Sequence, residues 1–150
     1  MKGYSIEEIP EKTAIALKKN CNISVKDSVN VAHNLRGMML SDAVDFLNLV
    51  LKKEKPVKYF RYLDSVSHRK GAGPGRYPIK ACKSFLQLLE NVEANAEFKG
   101  LNTDSLRILH ITADKGTMLK RYTPKAYGRA GANNRDMVNL AVVVREVEEE

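Results

Sequence analysis

The sequence predicts an α+β fold, and three observations lead to that prediction. Three segments carry apolar residues at the three- and four-residue spacing of amphipathic helices. Three other segments are rich in strand-forming residues, and a long basic stretch containing glycine and proline separates the last two of these. A hydrophobic fraction of 43% is typical of a folded chain. We expect residues 1–150 to form one domain with a modest core.

The first two helices are predicted in the N-terminal half. Ser24 has the side chain of a helix N-cap, and Asp27 three residues later completes a variant capping box. Gly37 is a plausible end for that helix. A second helix is expected to begin at Ser41. Their apolar stripes are Val25, Val29, Ala32 and Leu35, then Leu40, Ala43, Val44, Leu47, Val50 and Leu51.

The third helix is predicted to follow an irregular segment. Residues 54–77 show no helical or strand periodicity, so we expect a basic loop, which at this length is unusual unless it is functional. The third helix then begins at Pro78 or Ile79 and runs to about Phe98. Its predicted buried stripe is Ile79, Cys82, Phe85, Leu86, Leu89, Val92 and Ala96.

Three strands complete the prediction. Thr13–Lys19 is expected to be a short strand with Ile15 and Leu17 on one face, and residues 106–113 and 137–145 are rich in strand formers. The residues between the last two strands could form a floppy loop. They could equally continue the two strands outward as a long arm, which would be marginal in water unless nucleic acid covered it.

The basic residues are concentrated in two segments of the chain. Lys52–Lys83 has a local balance of +8, and Lys115–Arg135 holds six basic residues without one acid, whereas the rest of the chain sums to −7. Such a polarised field suits a polyanion partner. An ordinary solvated surface is the alternative, but solvated surfaces usually mix the two signs.

Aromatic residues are interleaved with these basic residues. Lysine and arginine neutralise phosphates, while tyrosine and phenylalanine can stack on unpaired bases. Tyr59, Phe60, Tyr62, Tyr122 and Tyr127 are placed for that role, although local packing is an equal alternative for any one of them.

No persuasive active site emerges from the sequence. Residues 71–76 resemble a phosphate-binding loop only superficially, because the glycines lack the following Lys-Ser/Thr and no strand precedes them. His33, His68 and His110 have no metal-ligand spacing. His68 lies in the basic loop, where a phosphate or base contact is favoured over a role as the general base of a ribonuclease. We expect no cofactor and no metal.

Cysteine usage and the chain ends indicate a protein that stays where it is made. Cys21 and Cys82 are far apart and are predicted to be buried, reduced thiols. Residues 1–8 lack the apolar segment of a signal peptide, and no apolar run is long enough for a membrane span. Residues 146–150 are predicted to be a solubilising acidic tail.

Several motifs resemble one family. Gly116–Ala130 resembles the hairpin of the universal large-subunit ribosomal protein twenty-two family. Leu88–Leu101 looks like the archaeal and eukaryotic branch, whose eukaryotic member is large-subunit protein seventeen. Lys55–Tyr62, followed by His68–Gly71, fits the insertion of that branch, and Arg36–Met38 is in the expected order. The resemblance spans most of the chain, and the lack of a long C-terminal extension is similar to archaeal members.

The resemblance implies a body of three helices packed on a small antiparallel sheet, with a long protruding β-hairpin over about residues 112–138. It implies a non-enzymatic constituent of the large ribosomal subunit, located in the cytoplasm. It also implies three partners: large-subunit rRNA, neighbouring large-subunit ribosomal proteins, and the nascent polypeptide that passes the hairpin tip in the exit tunnel. An autonomous RNA-binding regulator would share the charge pattern without belonging to the ribosome.

The basic segments and the resemblance together give the expected site residues. Those expected to bind rRNA are Lys58, Arg61, His68, Arg69, Lys70, Arg76, Lys80, Lys115, Lys120, Arg121, Lys125, Arg129 and Arg135. Those expected at the tunnel-facing hairpin tip are Pro124, Lys125, Tyr127, Gly128 and Arg129. Residues 133–140 depart from the basic segment of many relatives, so we expect fewer phosphate contacts there and a cation such as Lys115 beside Asp136.

Overall fold

Three α-helices and eight β-strands form the part of the chain that the computed structural model describes, residues 10–147. The helices are α1 (Val25–Leu35), α2 (Leu40–Leu51) and α3 (Ile79–Phe98). The strands are β1 (Thr13–Cys21), β2 (Val57–Lys58), β3 (His68–Arg69), β4 (Gly73–Arg76), β5 (Leu106–Leu119), β6 (Tyr122–Pro124), β7 (Ala130–Ala132) and β8 (Arg135–Glu146). Two predictions concern residues that the structure does not describe: the absence of a signal peptide in residues 1–8, and most of the acidic tail.

The helix predictions are confirmed nearly to the residue. The Ser24 hydroxyl accepts a hydrogen bond from the Asp27 backbone N–H at 3.3 Å, which caps α1. Gly37 follows α1 with a positive φ of 81°, the left-handed conformation that commonly ends a helix. Helix α2 begins one residue before the predicted Ser41, and Pro78 is the N-cap of α3. These features are local, and therefore readable from sequence.

The main sheet is antiparallel, with strand order β1-β8-β5. Its core face carries Ala14 and Ala16 of β1, while Ile15 and Leu17 are only half-buried on the opposite face. Small residues suit this position because α3 lies close to β1, and the Asn95 amide donates to the Ile15 carbonyl at 2.8 Å.

The core lies between this sheet face and the three helices. Phe85 and Leu89 of α3, Leu47 of α2 and Val142 of β8 are fully buried there. Each such side chain contributes roughly 1.5–3 kcal/mol by leaving water. The sheet and the three helices confirm the α+β prediction.

Both cysteines are buried free thiols, as predicted. Burial raises the pKa of Cys82 to about 12 and also raises that of Cys21. The neutral thiol is therefore the stable form of both, which suits a packing role.

The prediction that residues 54–77 form a loop without regular structure is wrong. This segment, called the insert below, contains a second antiparallel sheet of order β2-β4-β3. A Cβ at Gly75 in the central strand would lie 3.1 Å from the Val57 carbonyl oxygen, so a larger residue would push the paired strands slightly apart. Strands of two to four residues are too short to show alternation in the sequence.

Of the two alternatives for the basic stretch, the structure shows the long arm. The β5–β8 ladder continues to the pair Leu119↔Arg135, with a register shift between Lys115 and Met118. Strands β6 and β7 then extend the pairing to Pro124↔Ala130. Residues 114–136 are called the hairpin arm below.

Candidate nucleic-acid interface

The thirteen expected rRNA-binding residues lie on the insert, on the hairpin arm and on the first turn of α3. Twelve are exposed, whereas Arg76 is half-buried and donates to the Ser65 carbonyl oxygen. Lys80 and Arg135, distant in sequence, line one cleft of about 460 Å³ between the start of α3 and the root of the arm. One residue of each basic segment thus lies at that cleft, together with the acids Asp27 and Asp136.

The hairpin arm has almost no buried surface beyond its root. Tyr122 is 69% exposed and Tyr127 is 99% exposed. The Lys125 N–H donates to the Arg129 carbonyl oxygen at 2.7 Å, which closes the tip, and Tyr127 and Gly128 both have positive φ. The expected tip residues therefore lie at the turn of the arm. Since Lys115–Arg135 contains no acid, the arm's positive charges repel one another unless an anion approaches.

An ion pair and a group of polar side chains fix the root of the arm. The Lys115 ammonium lies 3.1 Å from the Asp136 carboxylate, which confirms the predicted cationic neighbour. Both side chains are partly exposed, so the pair contributes about 0–1 kcal/mol and mainly sets position. Beside it, the Asn139 side chain accepts from the Asn20 N–H at 2.9 Å and packs against Gly116.

The role of Asn139 in fixing the root of the arm was not predicted from the sequence. A Cβ at Gly116 would lie 3.1 Å from its side-chain oxygen, at the register shift of β5. The available signal was an asparagine, a poor strand former, at the start of a run of strand-forming residues.

Within the insert, Tyr59 packs locally instead of facing solvent. It is 2% exposed, and its hydroxyl donates to the Asp27 carboxylate at 2.6 Å. Burial and this hydrogen bond raise the Tyr59 pKa. Phe60 and Tyr62, in contrast, are 43% and 48% exposed, so they remain available for stacking.

Helix α1 holds the insert through a stripe of polar side chains that sequence reasoning missed. Lys26, Asn30 and Asn34 are spaced one helical turn apart, and each donates to a backbone carbonyl of residues 58–64, at 2.9, 3.1 and 2.8 Å. Asparagine is disfavoured inside helices, so two of them four residues apart were a usable signal.

The three histidines occupy unrelated places. His33 lies on α1 with its ring centroid 3.7 Å from that of Phe60, and His68 is exposed on β3. His110 is half-buried on β5, where burial lowers its pKa. Among residues 10–147, no group of three or more His, Cys, Asp or Glu residues could hold a metal ion. No helix within the same range is long and apolar enough to cross a membrane.

Comparison with known proteins agrees with the resemblance. The family model described as ribosomal protein L22p/L17e matches residues 16–145. A protein of Picrophilus torridus named large ribosomal subunit protein uL22 is 63% identical over 150 residues, covering 100% of both chains. Proteins of the same name from Thermoplasma acidophilum and Methanocaldococcus jannaschii are 63% and 43% identical over 146 residues. These alignments cover 97% and 95% of this chain and 96% and 94% of the relatives.

The match extends through the main sheet, the insert and the hairpin arm, and the relatives are archaeal. The chain belongs to the ribosomal protein L22p/L17e family and is of the archaeal type.

Proposed function

We propose that this protein binds large-subunit rRNA through the insert and the hairpin arm, supports the assembly of that RNA, and lines the nascent-peptide exit tunnel with the arm's tip. Its family membership makes it a structural, non-enzymatic constituent of the large ribosomal subunit in the cytoplasm. A ribonuclease function based on His68 has no place in such a protein. The rRNA contacts, the neighbouring ribosomal proteins and the nascent chain are the finer parts of the proposal.

The hairpin arm is the observation that carries the proposal. It is a two-stranded ribbon whose basic side chains are all exposed and which has no core of its own beyond the root. An isolated two-stranded ribbon is marginally stable in water, and its unopposed charge makes it less so. Packing against RNA would cover the ribbon, and the phosphates would neutralise its positive charge.

The length of the arm supports penetration into folded RNA. About ten residues separate Lys115 from the tip, which corresponds to roughly 33 Å of extended chain. That is long enough to cross a layer of RNA helices, so the tip would emerge on its far side. Tip residues 124–129, exposed on all sides, would then meet the tunnel and the nascent polypeptide.

The basic side chains would act mainly on phosphates. Lys120, Arg121, Lys125 and Arg129 are exposed on the arm, and Arg135 and Lys80 share the cleft at its root. The returning strand contributes less, because residues 133–140 carry one basic residue, Arg135, and the acid Asp136, which pairs with Lys115 of β5. Phosphate contacts fix orientation and carry little base information, as suits a protein that holds one RNA in place.

Fractionation of ribosomes tests the proposal. We expect the protein in large subunits at one copy each after a salt wash, whereas an autonomous regulator would be washed off. We also expect its affinity for large-subunit rRNA to fall steeply with salt. Equal affinity at low and high salt would contradict the phosphate mechanism.

The tunnel contact needs its own test. A photo-crosslinking amino acid at position 127 should label a nascent chain stalled on the ribosome, whereas one at position 98, on the exposed end of α3, should not. Equal labelling from both positions would contradict placement of the tip in the tunnel.

A further inference from the structure

We propose that α1 and the insert form a platform on which one unpaired RNA base stacks, with Phe60 as the stacking ring. His33, Tyr62 and Arg61 complete this platform, which is called the Phe60 platform below. The inference rests on the proposed rRNA binding and adds to it a site for an unpaired nucleotide.

The ring geometry is the first observation. The centroids of Phe60 and His33 are 3.7 Å apart and the ring planes differ by 33°. A ring has two faces, and His33 lies against one of them, while 43% of Phe60 remains exposed. RNA-binding proteins stack splayed bases on exposed aromatic side chains, and the exposed part of Phe60 is such a surface.

The platform is held rigidly before any ligand arrives. The fully buried Asn30 accepts hydrogen bonds from the backbone N–H groups of Phe60 and Arg61, at 3.0 and 3.2 Å. The same side chain donates to the carbonyl oxygens of Lys26 and Arg61, at 2.7 and 3.1 Å. Both functional atoms of one buried amide therefore fix the segment that carries Phe60. Such preorganisation reduces the entropy that binding costs.

Tyr62, which follows Phe60 and Arg61, has a backbone conformation that bulky residues rarely adopt. Tyr62 has φ 57° and is 48% exposed, with the Arg61 guanidinium 5.6 Å from its ring centroid. Leu63 next to it is also 48% exposed. A strained backbone that keeps large rings in solvent is unfavourable in the free protein, which points to a function.

The charges around the platform favour RNA over a protein partner. Lys58 and Arg61 are exposed at its edge, with Asp64 the nearby acid in the chain. Lysine is depleted in the cores of protein interfaces, whereas cations interleaved with aromatic rings suit a base and its phosphate. Duplex RNA keeps its bases stacked internally, so an unpaired nucleotide is the occupant that this surface fits.

Fluorescence of 2-aminopurine tests the stacking directly. The full-length protein is mixed with an unstructured RNA of about ten nucleotides that carries 2-aminopurine, or with the same RNA in a duplex. We expect quenching of the single-stranded probe. Phe60→Leu, which keeps apolar bulk and removes the ring, should weaken single-strand binding roughly tenfold. Phe60→Trp should retain both the quenching and the affinity.

Two controls separate stacking from loss of fold or charge. Phe98→Leu removes an aromatic ring that is 94% exposed on α3, away from the insert, and should leave RNA binding unchanged. Affinity for the duplex probe, which depends on phosphate contacts, should be the same for wild type and Phe60→Leu. A circular dichroism spectrum matching wild type confirms that Phe60→Leu is folded.

Three outcomes would overturn the platform, and each can be told from failure of the proposed function. Unquenched single-strand binding contradicts it, as does a Phe60→Leu affinity equal to wild type. Unchanged RNA binding with loss of a neighbouring ribosomal protein from subunits carrying Phe60→Leu would mean that the patch is a protein interface. In all three the protein still binds rRNA, whereas absence of rRNA binding by wild type would refute the proposed function itself.

Discussion

The insert and the hairpin arm both present basic and aromatic side chains, but they are held in opposite ways. The insert is fastened to the body by buried Val57 and Tyr59 and by the polar stripe of α1. The arm is held by its own β-ladder and, at its root, by Asn139 and the Lys115–Asp136 pair. The insert is therefore fixed by side-chain contacts with the body before any partner binds. The arm has such contacts only at its root, so under the proposed function RNA would set its final position.

The difference has a consequence for mutations. Changes at the buried insert residues Val57 and Tyr59 should affect the stability of the free protein, because these side chains belong to the core. Changes along the arm beyond its root should affect RNA binding and leave the free protein's stability almost unchanged.

Removal of the insert's buried ring should have the largest effect. Tyr59→Ala leaves a cavity and an unpaired Asp27 carboxylate, so we expect the free energy of unfolding to fall by about 3–5 kcal/mol. The matched change on the arm, Tyr127→Ala, should alter it by no more than about 0.5 kcal/mol, since that ring is almost fully exposed. Urea denaturation measures both. Equal losses of unfolding free energy in Tyr59→Ala and Tyr127→Ala would show that the insert and the arm do not differ in this way.

Neutralising the arm should weaken RNA binding next. With Lys120, Arg121, Lys125 and Arg129 all changed to Ala, the four phosphate contacts that we propose for the arm would be lost. The slope of log affinity against log salt should then decrease by about three, because each contact contributes roughly 0.7–0.9. Salt titrations with large-subunit rRNA measure the slope. The unfolding curve is the control and should match wild type; a large stability loss would show that the arm belongs to the core.

A smaller effect is expected at the root of the arm. In Gly116→Ala the new Cβ would lie 3.1–3.2 Å from the Asn139 side chain and the Met137 carbonyl oxygen. We expect a loss of about 1 kcal/mol and faster hydrogen exchange of the Asn20 amide, whose acceptor is Asn139. In Gly131→Ala, nearer the tip, the new Cβ would lie 3.4 Å from the Lys125 side chain, an ordinary contact. This change should alter neither the free energy of unfolding nor the hydrogen exchange of the Asn20 amide.

The smallest predicted effect concerns pH. Burial lowers the folded-state pKa of His110 below its usual 6.5, so the unfolded chain binds the proton more tightly. This contribution to stability is complete above pH 6.5 and is lost as pH falls through the lowered folded-state value. Unfolding free energies at about pH 7.5 and about pH 5.5 should therefore differ less in His110→Gln than in wild type. If His110→Gln and wild type showed the same difference in unfolding free energy between the two pH values, this pH dependence would not come from His110.

Much of the body was predictable because its signals are local. The Ser24 cap and the helix stripes depend on residues a few positions apart, whereas the residues between the last two strands left loop and arm equally open and only the family resemblance favoured the arm. The Lys115–Asp136 pair was also predictable, since an acid facing a basic stretch needs a cation.

What could not be predicted depends on long-range contacts. Tyr59 is buried while Phe60 and Tyr62 are exposed, and the choice is made by Asp27 and Asn30, about thirty residues away. The short strands of the insert pair closely at Gly75, where a Cβ would crowd the Val57 carbonyl oxygen across the ladder. Asn20 and Asn139 meet across 119 residues. Residues a few positions apart do not show which distant residues will contact one another.

We propose that both regions contact rRNA in the assembled subunit. An electron cryomicroscopy structure of large subunits containing this chain would show the contacts themselves. We expect the exposed basic side chains of the arm and the insert within hydrogen-bond distance of rRNA phosphates, and the tip at position 127 facing the tunnel. An arm that lies free on the subunit surface, or a chain held only by neighbouring proteins, would contradict the proposal.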